Sequence, residues 1–96
     1  MKILAIEKET SDVTAEQFRP YMKPEAACVW ELYQAGIIRE LYFGRDQHNA
    51  VLMLECDSVA EANQALGTLP LVEHGLITFE LIPLVPYSGF ARLFVE

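Results

Sequence analysis

Two carboxylates in neighbouring β-rich runs carry the first chemical possibility. Glu40 lies in the run Ile37 to Phe43 and Glu55 in the run Ala50 to Cys56. Between the runs stands Gly44-Arg45-Asp46-Gln47-His48-Asn49, a polar connection typical of a hairpin. Pairing Phe43 with Ala50 sets Glu40 opposite Met53 and makes Glu55 its diagonal neighbour at about 7–8 Å. In a dry cavity, burial and mutual repulsion raise one of two such pKa values. One carboxyl is then left as acid and the other as base, which proton transfer near neutral pH requires. A solvated acidic strand face is the competing reading of the same two residues.

Other candidates surround this pair. Tyr42, on the same strand face, could donate a hydrogen bond to a substrate carbonyl or simply fill space beside Met53. Trp30 and Tyr33 would cap a pocket if their helix leans over it, or pack in the core. Arg39 has the fork geometry to hold a carboxylate bidentately, yet strand alternation points it to the helix side, where an ion pair with Glu31 or exposure serves as well. His74, on the loop entering the last strand, suits a pocket rim, whereas His48 in the hairpin turn reads as surface. Tyr87 and Phe90 could close a neighbour's pocket or seal a dimer. The substrate-binding set is thus Trp30, Tyr33, Arg39, Tyr42, Met53, His74, Tyr87 and Phe90.

The elements that must position these groups follow from periodicity and punctuation. Ile3-Leu4-Ala5-Ile6 opens a strand over residues 2 to 9. Thr14-Ala15-Glu16-Gln17 is a capping box that starts a helix, and Pro20 and Pro24 kink or restart it before Glu25 to Ala35. Met22, Ala26, Val29, Trp30 and Tyr33 recur at helical spacing as a buried stripe, and Gly36 ends the helix. After the hairpin, Ser58-Val59-Ala60-Glu61 caps a second helix, with Val59, Ala62, Leu66 and Leu69 as its apolar stripe and Pro70 as its stop. Gly75 to Pro83 is the fourth strand. The order β-α-β-β-α-β is that of an α+β, ferredoxin-like fold with a four-stranded antiparallel sheet and both helices on one face.

Parity assigns the faces of that sheet. Arg39, Leu41 and Phe43 share the helix side with Leu52 and Leu54, while Ile38, Glu40, Tyr42, Val51, Met53 and Glu55 lie opposite. The second face is too apolar for water and too acidic for an ordinary core, so the expectation is two copies packing sheet to sheet around a partly polar cavity. Residues 1–86 form the domain, and the apolar tail 87–96 packs on a partner subunit.

Composition narrows the partners. A chain of 96 residues has room for one domain. Seven Lys and Arg against 14 Asp and Glu give a net charge of −7, which disfavours nucleic acid and anionic membranes as partners. No apolar run approaches the roughly 18 residues of a membrane span, and the short N-terminal apolar stretch is no export signal. Cys28 and Cys56 lack C-x-x-C spacing and read as reduced, small buried hydrophobes. Two histidines without metal-ligand spacing predict no metal site, and no phosphate loop or nucleophile elbow is present. The expectation is therefore a cytoplasmic protein without cofactor, whose partners are a small molecule and itself.

The chain resembles the muconolactone isomerase family of the dimeric α/β-barrel proteins. The likeness spans residues 1 to 86. It rests on the long helix ending at Gly36, Arg39 with Leu41-Tyr42, Ser58-Val59 opening the second helix, and Leu69-Pro70-Leu71 before the last strand. Val72-Glu73-His74-Gly75 and the ending Pro86-Tyr87-Ser88-Gly89-Phe90 depart from the family pattern. The resemblance implies a dimeric α/β barrel and a cofactor-free enzyme that isomerises an unsaturated lactone or carbonyl compound by moving a proton. A non-catalytic ligand-binding or assembly module, with its cavity filled by Met53 and Tyr42, is the alternative from another class. A cofactor-free monooxygenase is a third.

Overall fold

The computed structural model describes residues 1–95, so Glu96 of the expected tail lies outside the described residues. The elements run β1 (Lys2–Glu9), α1 (Ala15–Phe18), a 3-10 turn (Arg19–Tyr21), α2 (Met22–Gln34), β2 (Ile38–Phe43), β3 (Ala50–Glu55), α3 (Val59–Leu66), α4 (Pro70–Glu73), β4 (Ile77–Leu84) and a 3-10 stretch (Gly89–Phe94). The strands form one antiparallel sheet in the order β2-β3-β1-β4. This is the expected α+β, ferredoxin-like arrangement.

Local chemistry starts and stops the helices. The Thr14 hydroxyl accepts the Gln17 amide while the Gln17 side chain accepts the Thr14 amide at 2.8 Å, a complete capping box. Pro20 falls within the 3-10 turn, and Pro24 sits in the first turn of α2, where a missing N–H leaves no intrahelical bond unmade. Gly36, at φ +81°, terminates α2 in the left-handed region. The Ser58 hydroxyl accepts the Glu61 amide to start α3.

Three expectations need correction. The second helix ends at Leu66 with Gly67 as its cap; Pro70, placed as a stop, instead opens the separate helix α4, its fixed φ suiting the first helical position. A β-bulge between Ile38 and Glu40 inserts Arg39 against β3, so Ile38 faces Leu54 and is fully buried on the helix side rather than on the open face. Beyond the bulge, Glu40 does pair with Met53 and Phe43 with Ala50. Third, no residue of α2 is buried. Cys28, Val29 and Leu32 pack on the core, but Met22, Trp30 and Tyr33 are about half exposed or more, because that edge of the helix stands off the sheet.

The core lies between sheet and helices, where Ile3, Ala5, Ile38, Leu52 and Leu54 meet Ala62, Leu66 and Leu69. Each large aliphatic side chain so covered contributes about 1.5–3 kcal/mol. The opposite sheet face is open, with Leu4, Ile6, Val51, Met53 and Ile82 half-buried along it. The tail leaves the body: Tyr87, Phe90, Leu93 and Phe94 are each at least 69% exposed, and the molecule measures 60 × 29 × 20 Å.

Candidate functional site

The gap between α2 and the sheet is a cavity of about 920 Å³. Strand alternation supplies its floor. Ile3, Ala5, Glu7 and Glu9 follow one another on the helix face of β1, and register sets Phe79 opposite Glu7 and Ile77 opposite Glu9. Leu41, Phe43, Ala50 and Leu52 continue the floor across β2 and β3. Met22, Ala26, Trp30 and Tyr33 form the overhanging wall, in which the Trp30 and Tyr33 rings stack at 6.0 Å between centroids.

Most of this lining is apolar, so its few charged groups stand out. Glu25, in the first turn of α2, is half-buried in the cavity wall, and its Oε1 accepts the Leu71 amide at 2.9 Å. Burial pushes the Glu25 carboxyl above the ordinary carboxylate range, the Leu71 hydrogen bond opposes that rise, and the nearby Glu7 charge adds to it. The Leu-Pro-Leu segment thus has a positional use: with Pro70 at the first helical position, the free amide of Leu71 points at Glu25. Glu7, also half-buried, accepts the Ala50 amide at 2.7 Å. Arg19 and His48 stand at the mouth, His48 stacked on Phe43 at 4.1 Å with a left-handed backbone of φ +56°.

Of the residues singled out from sequence, Trp30, Tyr33 and Tyr42 line this cavity. Glu40 and Glu55 do not. They lie on the open sheet face and make separate contacts in the single chain: Glu40 accepts the Tyr42 hydroxyl at 2.9 Å, whereas Glu55 binds the N-terminal ammonium at 2.6 Å. That ammonium hydrogen bond pulls the Glu55 carboxyl down instead of up, and Glu40 in turn raises the Tyr42 phenol. Arg39, at the bulge, donates to the Gly36 carbonyl at 2.6 Å and makes no ion pair with Glu31. Met53 is half-buried on the open face. His74 stacks on Tyr21 at 4.3 Å in a separate groove shared with Gln17, Pro20 and Leu76. Tyr87 and Phe90 meet edge to face at 5.1 Å on the projecting tail.

Sequence reasoning passed over Glu7, Glu9, Arg19 and Glu25; His48, read as surface, is exposed and also lines the cavity. Signals existed for two of them: Glu7 shares the parity of Ile3 and Ala5, and Glu25 precedes Val29 and Leu32 by one and two helical turns on the packing side. Among the described residues, no cluster of His, Cys, Asp and Glu is arranged to hold a metal ion.

No family model and no curated protein matches this sequence. Solved structures do. A muconolactone isomerase superposes with a TM-score of 0.74 over 93% of both chains, at 18% identity. The chain has a muconolactone isomerase-like fold. A 5-chloro-2-hydroxyhydroquinone dehydrochlorinase from Burkholderia phenoliruptrix, solved with 2,5-dihydroxybenzoquinone, shares this muconolactone isomerase-like fold. It superposes with a TM-score of 0.69 over 93% of this chain and 98% of its own, at 16% identity.

Proposed function

We propose that this chain is a small-molecule enzyme that isomerises an unsaturated lactone or carbonyl compound by proton transfer, with Glu25 moving the proton. The observation that carries the reading is a carboxyl raised by burial in the wall of a cavity large enough for a ring-sized ligand. Catalysis of this kind needs a base that takes a proton from one carbon and returns it at another, so its pKa must lie between the extremes of free Glu and carbon acid. Glu25 Oε1 is held by the Leu71 amide, and its second oxygen makes no hydrogen bond among the described residues. That oxygen is the one available to a substrate. The stacked Trp30 and Tyr33 suit a flat unsaturated ring.

Both structural neighbours are named for reactions of small unsaturated ring compounds, which supports the substrate class. Glu40, Met53 and Glu55 then belong to a different task. They lie on the open apolar face that a second copy of the chain would cover, and Tyr87 and Phe90 would reach that copy from the tail.

The test is solvent deuterium incorporation into an unsaturated γ-lactone, followed by NMR. Wild type should exchange the labile position catalytically, and Glu25→Gln should slow it by at least about 10²-fold. Equal rates in the two proteins would remove Glu25 from the chemistry.

A further inference from the structure

We propose that Glu7 is a specificity-determining residue that turns the cavity away from carboxylate-bearing compounds and toward uncharged lactones and enones. This inference rests on the reading of the cavity as a substrate site and adds what kind of substrate it admits.

The charges around the cavity are one-sided. Glu7 and Glu9 come from β1 and Glu25 from α2, against the single permanent cation Arg19 on the 3-10 turn; His48 adds charge only when protonated. None of these groups takes part in an ion pair among the described residues, where Met1–Glu55, Lys8–Glu80 and Arg45–Asp46 are the pairs made. Depth decides between opposing charges. Arg19 and Glu9 are exposed, so water and salt screen them, whereas Glu7 is half-buried beneath the wall. The Ala50 amide donates to Glu7 at 2.7 Å and holds the carboxyl in place. Glu7 therefore sets an acidic side chain, fixed by a backbone hydrogen bond, into the floor of the cavity whose wall carries the group assigned to proton transfer.

A ligand carboxylate entering the same space meets that acidic side chain at low effective dielectric, and the penalty at several ångströms corresponds to about tenfold or more in affinity. The chain's overall charge of −7 adds a long-range field of the same sign. An uncharged ring escapes both effects, and a ring hydroxyl can donate to the second Glu7 oxygen.

The experiment is an NMR titration of wild type and Glu7→Gln with two probes, an unsubstituted unsaturated γ-lactone and the same ring bearing a carboxymethyl arm. Gln can still accept the Ala50 amide, so the floor is kept. Wild type should bind the uncharged probe at least about tenfold more tightly, and Glu7→Gln should bring the two affinities close together. Equal or tighter binding of the carboxylate by wild type, or a preference that survives Glu7→Gln, overturns the proposal while leaving the substrate site intact. Binding of neither probe by folded wild type overturns the site itself, and this inference with it. Should Glu7→Gln fail to fold by circular dichroism, the wild-type preference is measured in rising salt: a preference that persists is the one shielded Glu7 imposes, and one that disappears belongs to the exposed charges and counts against Glu7.

Discussion

Glu25 is the carboxyl to which the proposed chemistry is assigned, and its burial has a thermodynamic sign. A carboxyl raised in the folded state favours its neutral form there, so the stability it contributes is fully present below the unfolded pKa and is lost as pH rises through the folded value. Glu25→Gln retains an acceptor for the Leu71 amide but carries no charge. Urea denaturation should therefore show the variant gaining stability relative to wild type between pH 4 and pH 8; a constant difference would mean that burial leaves the carboxyl unperturbed. The Leu71 amide supplies an independent readout, because its proton is bonded to the group that titrates. Its chemical shift should move with a midpoint above the free Glu value of about 4.3, and a midpoint at or below that value would contradict the raised pKa. Glu55 has the opposite sign: its pairing with the N-terminal ammonium is present above the unfolded carboxylate pKa and lost as pH falls.

At the scale of elements, the sequence carries the order of strands and helices because each element has its own punctuation. Thr14 with Gln17, Ser58 with Glu61 and Gly36 act within a few residues, and local chemistry of that range is readable. The bulge at Arg39 is not. It arises because Ile38 gains burial against Leu54, a partner that exists only once the sheet has formed, and it reverses the parity of everything before Glu40. The site was hidden for a related reason: strand alternation marks Glu7 as facing the helices, but only the stand-off of α2 turns that position from a buried charge into part of a cavity floor. Gly36 offers a test of the junction. Its φ of +81° is strained for any L side chain, yet a Cβ there would meet nothing closer than the Arg39 guanidinium at 3.8 Å. Gly36→Ala should thus cost about 1 kcal/mol from backbone conformation alone, measurable as a lower urea midpoint with unchanged slope. No loss would show that the junction relaxes.

The molecule is elongated because residues 87–95 leave the body. Phe90, Leu93 and Phe94 would each gain about 1.5–3 kcal/mol if a second copy covered them fully. Deleting Ser88 to Glu96 should accordingly weaken self-association in sedimentation equilibrium, and an unchanged dissociation constant would assign the tail no part in it. The reach of that tail has a kinetic side as well. If the chain is the enzyme proposed and a second copy finishes its exposed sheet and tail, its activity is subject to mass action in its own concentration. Dilution would then act as an inhibitor: turnover per chain would fall as copies separate and recover when they are concentrated again, with no change in any covalent bond or ligand.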